Sequence, residues 1–181
     1  MPVRSYTRPV PGRPTSHSEM SQLLVPVGDL IGSPGKGRPF AGDVPVELTF
    51  EDARVDGPME VSGRAIGLID AVEAKFTVAA TAHLTCTRCL TEWEERVEAE
   101  AVQFFRRVPD EEGYPIIGDE IDLYEPARDE LALALPSTPL CREDCRGLCP
   151  TCGTDLNSDP CGGHGDDSDS PFATLRDLFD S

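Results

Sequence analysis

The chain has 181 residues, enough for one domain of moderate core with tails and too few for two large domains. Sixteen Lys plus Arg against 33 Asp plus Glu give a net charge of -17, a field that repels phosphates and excludes broad, sequence-independent gripping of nucleic acid. No stretch approaches the roughly 18 apolar residues of a membrane span, and the first residues carry no hydrophobic signal core, so a cytoplasmic protein with reduced thiols is expected.

Residues 1 to 20 are rich in Pro, Ser and Arg and read as a disordered tail, because Pro2, Pro9, Pro11 and Pro14 break the amphipathic helix of a transit peptide. A single domain is expected over 21–165. Leu23, Leu24, Val25 and Val27 suggest a strand or extended arm, followed by a Gly/Pro loop from Gly28 to Pro39. Period-two patterns then predict four strands. Their apolar faces are Val44, Val46, Leu48 and Phe50; Met59, Val61, Gly63, Ala65, Gly67 and Ile69; Val72 to Leu84 at alternate positions; and Trp93, Val97, Ala99, Ala101 and Phe105. Glu95 and Gln103 interrupt the last face. A helix is expected near Pro126 to Leu135, stopped by Pro136. The acidic linker Asp166 to Asp169 leads to a final helix, within 166–181, with Ser170 as N-cap and Phe172, Leu175, Leu178 and Phe179 on one face. The fold class is α+β: mainly antiparallel β, as a sheet or small open barrel, with a few helices and a zinc-knuckle C-terminal segment.

The chemistry lies in seven cysteines. Cys86-Thr-Arg-Cys89 falls between the third and fourth strands, at a hairpin tip, and Cys141, Cys145, Cys149 and Cys152 are followed by Cys161-Gly-Gly-His164. Two residues between cysteines let a tight turn aim both sulfurs at one tetrahedral ion. The expected pairing is Cys86, Cys89, Cys149 and Cys152 on one zinc, with Cys141, Cys145, Cys161 and His164 as a second site. A local cage of Cys141, Cys145, Cys149 and Cys152 is the alternative. Closing the loop from Cys89 to Cys149 costs about 4 kcal/mol, and a structural zinc contributes about 10–16 kcal/mol, so the metal outweighs the loop. One zinc is expected and a second is allowed.

An all-cysteine site is closed, whereas a catalytic zinc keeps an open position. His17 and His83 form no evident triad, and no phosphate-cradling glycine loop is present. No enzymatic activity and no small-molecule substrate are expected. The competing readings are a thiol oxidoreductase at Cys86 and Cys89, a zinc hydrolase at the later cluster, and a zinc-ribbon module that binds nucleic acid. A local arginine set, Arg88, Arg106, Arg107, Arg142 and Arg146, is the candidate contact for RNA or a partner.

The succession Cys86-Thr-Arg-Cys89-Leu90, Leu131-Ala-Leu-Ala-Leu-Pro136, Pro139-Leu-Cys141 and Cys145-Arg-Gly-Leu-Cys149-Pro-Thr-Cys152-Gly-Thr-Asp-Leu-Asn157, closing on Ser170-Pro-Phe-Ala-Thr-Leu-Arg-Asp-Leu178, resembles the YceD family. Its members are called large ribosomal RNA subunit accumulation proteins, and the cysteine set resembles the cysteine-rich, actinobacterial type. The resemblance implies a small bacterial or plastid protein, a non-enzymatic factor for 23S rRNA accumulation or processing and large-subunit assembly, here expected in the bacterial cytoplasm. It also implies a partner on the large-subunit precursor, either a basic ribosomal protein or local 23S rRNA. Cys86 and Cys89 match the family's early pair, and Cys141, Cys145, Cys149 and Cys152 its later cluster.

Overall fold

The computed structural model describes residues 23–108 and 113–164. The expected tail over 1–20, the linker Asp166 to Asp169 and the helix beginning at Ser170 lie outside them. Strands dominate the described residues: β1 (Leu24–Pro26), β2 (Gly37–Pro45), β3 (Leu48–Thr49), β4 (Ala53–Val55), β5 (Pro58–Gly67), β6 (Ala71–Thr85), β7 (Glu92–Arg106), β8 (Tyr114–Pro115) and β9 (Glu120–Asp122). They are followed by one helix, α1 (Tyr124–Ala134). All pairings are antiparallel except β7 with β8.

Strand β6 is the spine. One edge pairs with β7 through all 15 of its residues, from Ala71 opposite Arg106 to Thr85 opposite Glu92. The other edge takes β5 along Val72–Ala79 and β4 at His83 and Leu84. The alternation in β6 explains its place. Val72, Ala74, Phe76, Val78, Ala80, Ala82 and Leu84 are all buried on one face, joined by Met59, Val61 and Ala65 of β5 and Phe105 of β7. Buried leucine, isoleucine and valine side chains dominate the rest, and no polar side chain is fully buried among the described residues.

Helix α1 lies against β6 and β7 and buries Pro126, Ala127 and Leu131. Its sequence permits this. Pro126 sits in the first turn, where its missing N–H is not needed, and the carboxylate of Asp122 accepts the orphan N–H of Tyr124 at 3.0 Å. The extended ψ of Leu135, the residue before Pro136, ends the helix. Gln103, the expected interruption of β7, is accommodated because its Nε2 donates to Glu130 of α1 at 2.9 Å.

Several boundaries differ from expectation. Gly37 to Pro39 belong to β2, not to the preceding loop; β2 is an edge strand, where Pro39 and Pro45 remove no ladder donor that a neighbour needs. The expected strand through Phe50 divides at Pro45 into β2 and β3, and Phe50 is exposed. Strand β5 stops at Gly67, so Ile69 lies on the surface of the turn to β6. The arm at Leu24 gains a partner that the sequence left unread, β9. The helix expected near Pro126 to Leu135 is α1, and the other expected helix lies outside the described residues.

The packing of β5 on β6 depends on one glycine. A Cβ at Gly63 would collide with the Lys75 carbonyl oxygen and the Phe76 backbone, whereas one at Gly57 would meet open space. Gly63→Ala is therefore expected to destabilise the fold by about 2–3 kcal/mol and Gly57→Ala to be nearly neutral, read from urea denaturation midpoints.

Candidate metal centre

The tip of the β6–β7 hairpin is a tight knuckle. Leu90 donates its N–H to the Cys86 carbonyl at 2.9 Å, and Cys86 donates to the Thr91 carbonyl at 2.9 Å. The turn closes only with Leu90 at φ 59, a left-handed conformation that a branched residue adopts at a cost. The same knuckle recurs later in the chain. Gly153 donates to the Cys149 carbonyl at 2.8 Å, Cys149 donates to the Thr154 carbonyl at 2.8 Å, and Gly153 takes φ 74. The hydroxyls also correspond, with Cys89 Sγ 3.1 Å from Thr91 Oγ1 and Cys152 Sγ 3.2 Å from Thr154 Oγ1.

Each knuckle contributes two sulfurs to a separate group of four ligands. Cys86, Cys89, Cys141 and Cys145 form one, and Cys149, Cys152, Cys161 and His164 the other, with the ligand atoms of each group all within 4.8 Å of one another. Both could hold a metal ion. In the first, Cys86 and Cys145 sulfurs are 3.9 Å apart and Cys89 and Cys141 sulfurs 3.5 Å. The edge of a tetrahedron of thiolates about 2.3 Å from an ion is about 3.8 Å. In the second, His164 Nε2 is 3.2 Å from Cys149 Sγ and 3.5 Å from Cys161 Sγ. The donor set thus fits a tetrahedral ion in both places.

This grouping corrects the expected pairing. All eight predicted residues are used, but the Cys149–Cys152 pair does not join Cys86 and Cys89, and the local cage does not form. Loop entropy could not choose, since the loops from Cys89 to Cys141 and to Cys149 differ in closure cost by roughly 0.1 kcal/mol. Tethering chooses. Helix α1 ends shortly before Cys141, and the Pro139 carbonyl accepts both the N–H and the hydroxyl of Thr87, at 3.0 and 3.3 Å. Cys141 is thereby delivered to the hairpin tip. Arg88 then fixes the segment after it: its Nη1 donates to the Cys145 carbonyl at 2.8 Å, and its own carbonyl accepts Leu148 N–H at 3.0 Å. Gly147, at φ 75 and packed under the Arg88 carbonyl, reverses the chain and starts the second knuckle.

The knuckle backbone also sets the thiol acidities. Burial pushes Cys86 up, but N–H groups of Cys141, Cys89 and Arg88 converge on its sulfur and bring the pKa down to about 6. At Cys149 the N–H groups of Cys152 and Thr151 do the same, to about 6. The Thr91 hydroxyl lowers Cys89 and the Thr154 hydroxyl lowers Cys152. Cys141 and Cys161 move the other way. Cys141 is pushed up to about 12 by its neighbour Cys89; Cys161 rises despite the Gly163 N–H, because of Cys149. His164 is raised by Cys152 and Cys149. Each cluster therefore presents one ready thiolate, Cys86 or Cys149, beside a raised thiol, Cys141 or Cys161, that gives up a proton when an ion enters.

The arginine set does not form one patch. Arg88, Arg142 and Arg146 surround the clusters, whereas Arg106 and Arg107 lie at the far end of β7, roughly 45 Å of strand away. Arg107 is held by Asp119 at 2.8 Å, Arg142 pairs with Asp144 at 3.4 Å, and Arg88 is bound to backbone carbonyl. Sequence reasoning missed Pro139, the two threonines and Asn157, whose carboxamide touches Cys145. The repeated pattern Cys-x-x-Cys-x-Thr was the available signal for the threonines.

The paired knuckles make a sharp comparison. Leu90→Gly is expected to stabilise the protein by about 1 kcal/mol, by relieving left-handed strain at an exposed site, and Gly153→Ala to destabilise it by about 1 kcal/mol. Denaturant midpoints with metal in excess check both.

Comparison with known proteins adds the wider context. An uncharacterized protein of Mycobacterium tuberculosis (strain H37Rv) is 33% identical over 110 residues, covering 56% of this chain and 53% of its own length. One from Mycobacterium leprae is 34% identical over 153 residues, covering 79% of this chain and 60% of that protein. The chain thus spans little more than half the length of these curated relatives. No solved structure matches it. The profile of the large ribosomal RNA subunit accumulation protein YceD matches residues 74–179, a segment that contains both knuckles and every cluster ligand. The chain belongs to the YceD family.

Proposed function

We propose that the protein is a non-enzymatic, cytoplasmic factor supporting 23S rRNA accumulation and large-subunit assembly, with structural zinc in both clusters. The observation that carries the ribosomal reading is the family match over residues 74–179. Zinc is favoured by the donor chemistry, since four thiolates, or three with an imidazole, make closed tetrahedral sites of the structural kind. The segment 136–164 contains no helix and no named strand, and a metal supplies the free energy that so small an irregular segment lacks.

The partner is a basic ribosomal protein. A chain at -17 has little cation density for phosphates, and the divided arginine set supplies no continuous stripe. The outward face of β7 reads Glu92, Glu94, Arg96, Glu98 and Glu100, all exposed. A reactive-thiol role for Cys86 is disfavoured by its complete burial within a closed ligand set. Among the described residues no helix is long and apolar enough to cross a membrane.

Purified protein is expected to carry two zinc ions per chain, by elemental and native mass spectrometry, with Cys89→Ser and Cys152→Ser each losing one. Because Cys86 and Cys149 have pKa values lowered to about 6, they remain thiolates at neutral pH and take up protons as the pH falls through that value. Zinc retained after dialysis should therefore be full above pH 7 and drop steeply below about 6. Depletion of the protein should reduce large subunits and enrich 23S precursors on sucrose gradients; a normal profile would remove the ribosomal reading. Binding to a basic ribosomal protein should weaken with salt, and recovery of rRNA alone would overturn the choice of partner.

A further inference from the structure

We propose that the two clusters take up their ions cooperatively, and that Asn157 is the residue that links them. The inference rests on the metal reading above and goes beyond it. Asn157 lies in the loop between Cys152 and Cys161, so an ion in the second cluster closes that loop around it. Its side chain, however, points at the first cluster. Asn157 Nδ2 donates to Cys145 Sγ at 3.5 Å and to Asp155 Oδ1 at 2.8 Å, while its Oδ1 accepts Arg146 N–H and Arg142 Nη2, each at 2.8 Å. All four hydrogen-bonding positions of the carboxamide are filled, which fixes its orientation.

Asp155 holds Asn157 in place from within the same loop. Its carboxylate also accepts the Asn157 N–H at 3.0 Å and the Ser158 hydroxyl at 2.9 Å. The two ligand segments are further tied by Leu156 N–H to the Gly147 carbonyl at 2.9 Å and by a bridge between Leu148 and Asp155. Ordering the second loop therefore positions an N–H donor at a ligand sulfur of the first cluster and pins the backbone that carries it. Groups that hold a metal ligand from behind affect affinity by about 10–100-fold. Linkage then requires the first ion to favour the second by the same factor.

The test uses the full chain, freed of metal and titrated with cobalt(II), whose visible bands differ between a four-sulfur and a three-sulfur, one-nitrogen site. Disabling the second cluster with Cys161→Ser and His164→Ala should weaken cobalt at the first by about tenfold. Asn157→Ala should weaken the first cluster similarly, and disabling the second should then have little added effect. Disabling the first cluster with Cys89→Ser and Cys141→Ser should weaken the second by the same factor, a measurement that keeps Asn157 and so stands even if Asn157→Ala fails to fold. Two sets of bands with affinities indifferent to each other's site would overturn the coupling alone. No cobalt bands in the unmodified protein would overturn the metal reading together with it.

Discussion

Sulfur anions crowded within 4.8 Å of one another repel, and that repulsion is the constraint around which the C-terminal half of this domain is arranged. The knuckle turns answer it partly. By directing backbone N–H groups and a threonine hydroxyl at two of the four ligands, each turn favours thiolate at its own pair, while Cys141 and Cys161 are held toward the protonated form. A divalent cation would complete the neutralisation and let four donors stay close without protons between them. The strained backbone of Leu90 belongs to this arrangement, because the N–H that closes the turn on Cys86 is its own.

The sheet supplies the rigid frame that the clusters need. An antiparallel ladder 15 residues long carries Cys86 and Cys89 to its tip, and the burial that stabilises that ladder is apolar and continuous from Val72 to Leu84. Helix α1 packs across the same two strands, so its C-terminal end is placed relative to the tip before any ligand is added. The first cluster is then a junction between a preformed hairpin and the chain leaving the helix. The second has no such scaffold of its own; it hangs from the first through Arg88, Gly147 and Leu148.

Much of this was legible in the residues. Period-two burial identified β5, β6 and β7, because each has one face against the core and one against solvent, and the hairpin position of Cys86 and Cys89 followed directly. Short β4, β8 and β9 were not legible, since two or three residues carry no periodicity and their pairing is decided by tertiary contact. The ligand pairing failed for a related reason. Spacing identifies knuckles, but which remote cysteines complete them depends on where α1 ends and on a single carbonyl, that of Pro139. The arginine set fails as one patch because Arg106 and Arg107 lie at the end of β7 away from the hairpin tip, a separation already implicit in a long strand that starts beside Cys89.

The acidity acquires meaning once the clusters are placed. A four-thiolate site with a divalent ion keeps a charge of about -2 and a three-thiolate site about -1, so filled clusters stay negative and leave the protein acidic. Arg88 and Arg142, which a basic-patch reading would set against phosphate, are drawn inward to the Cys145 carbonyl and to Asn157 and Asp144. Cations near the clusters thus serve to hold the ligand segments, and the outward surface of β7 nearer the tip carries Glu92, Glu94, Glu98 and Glu100, with Arg96 paired to Glu60. A partner recognised by that surface gains from long-range attraction only if it is cationic.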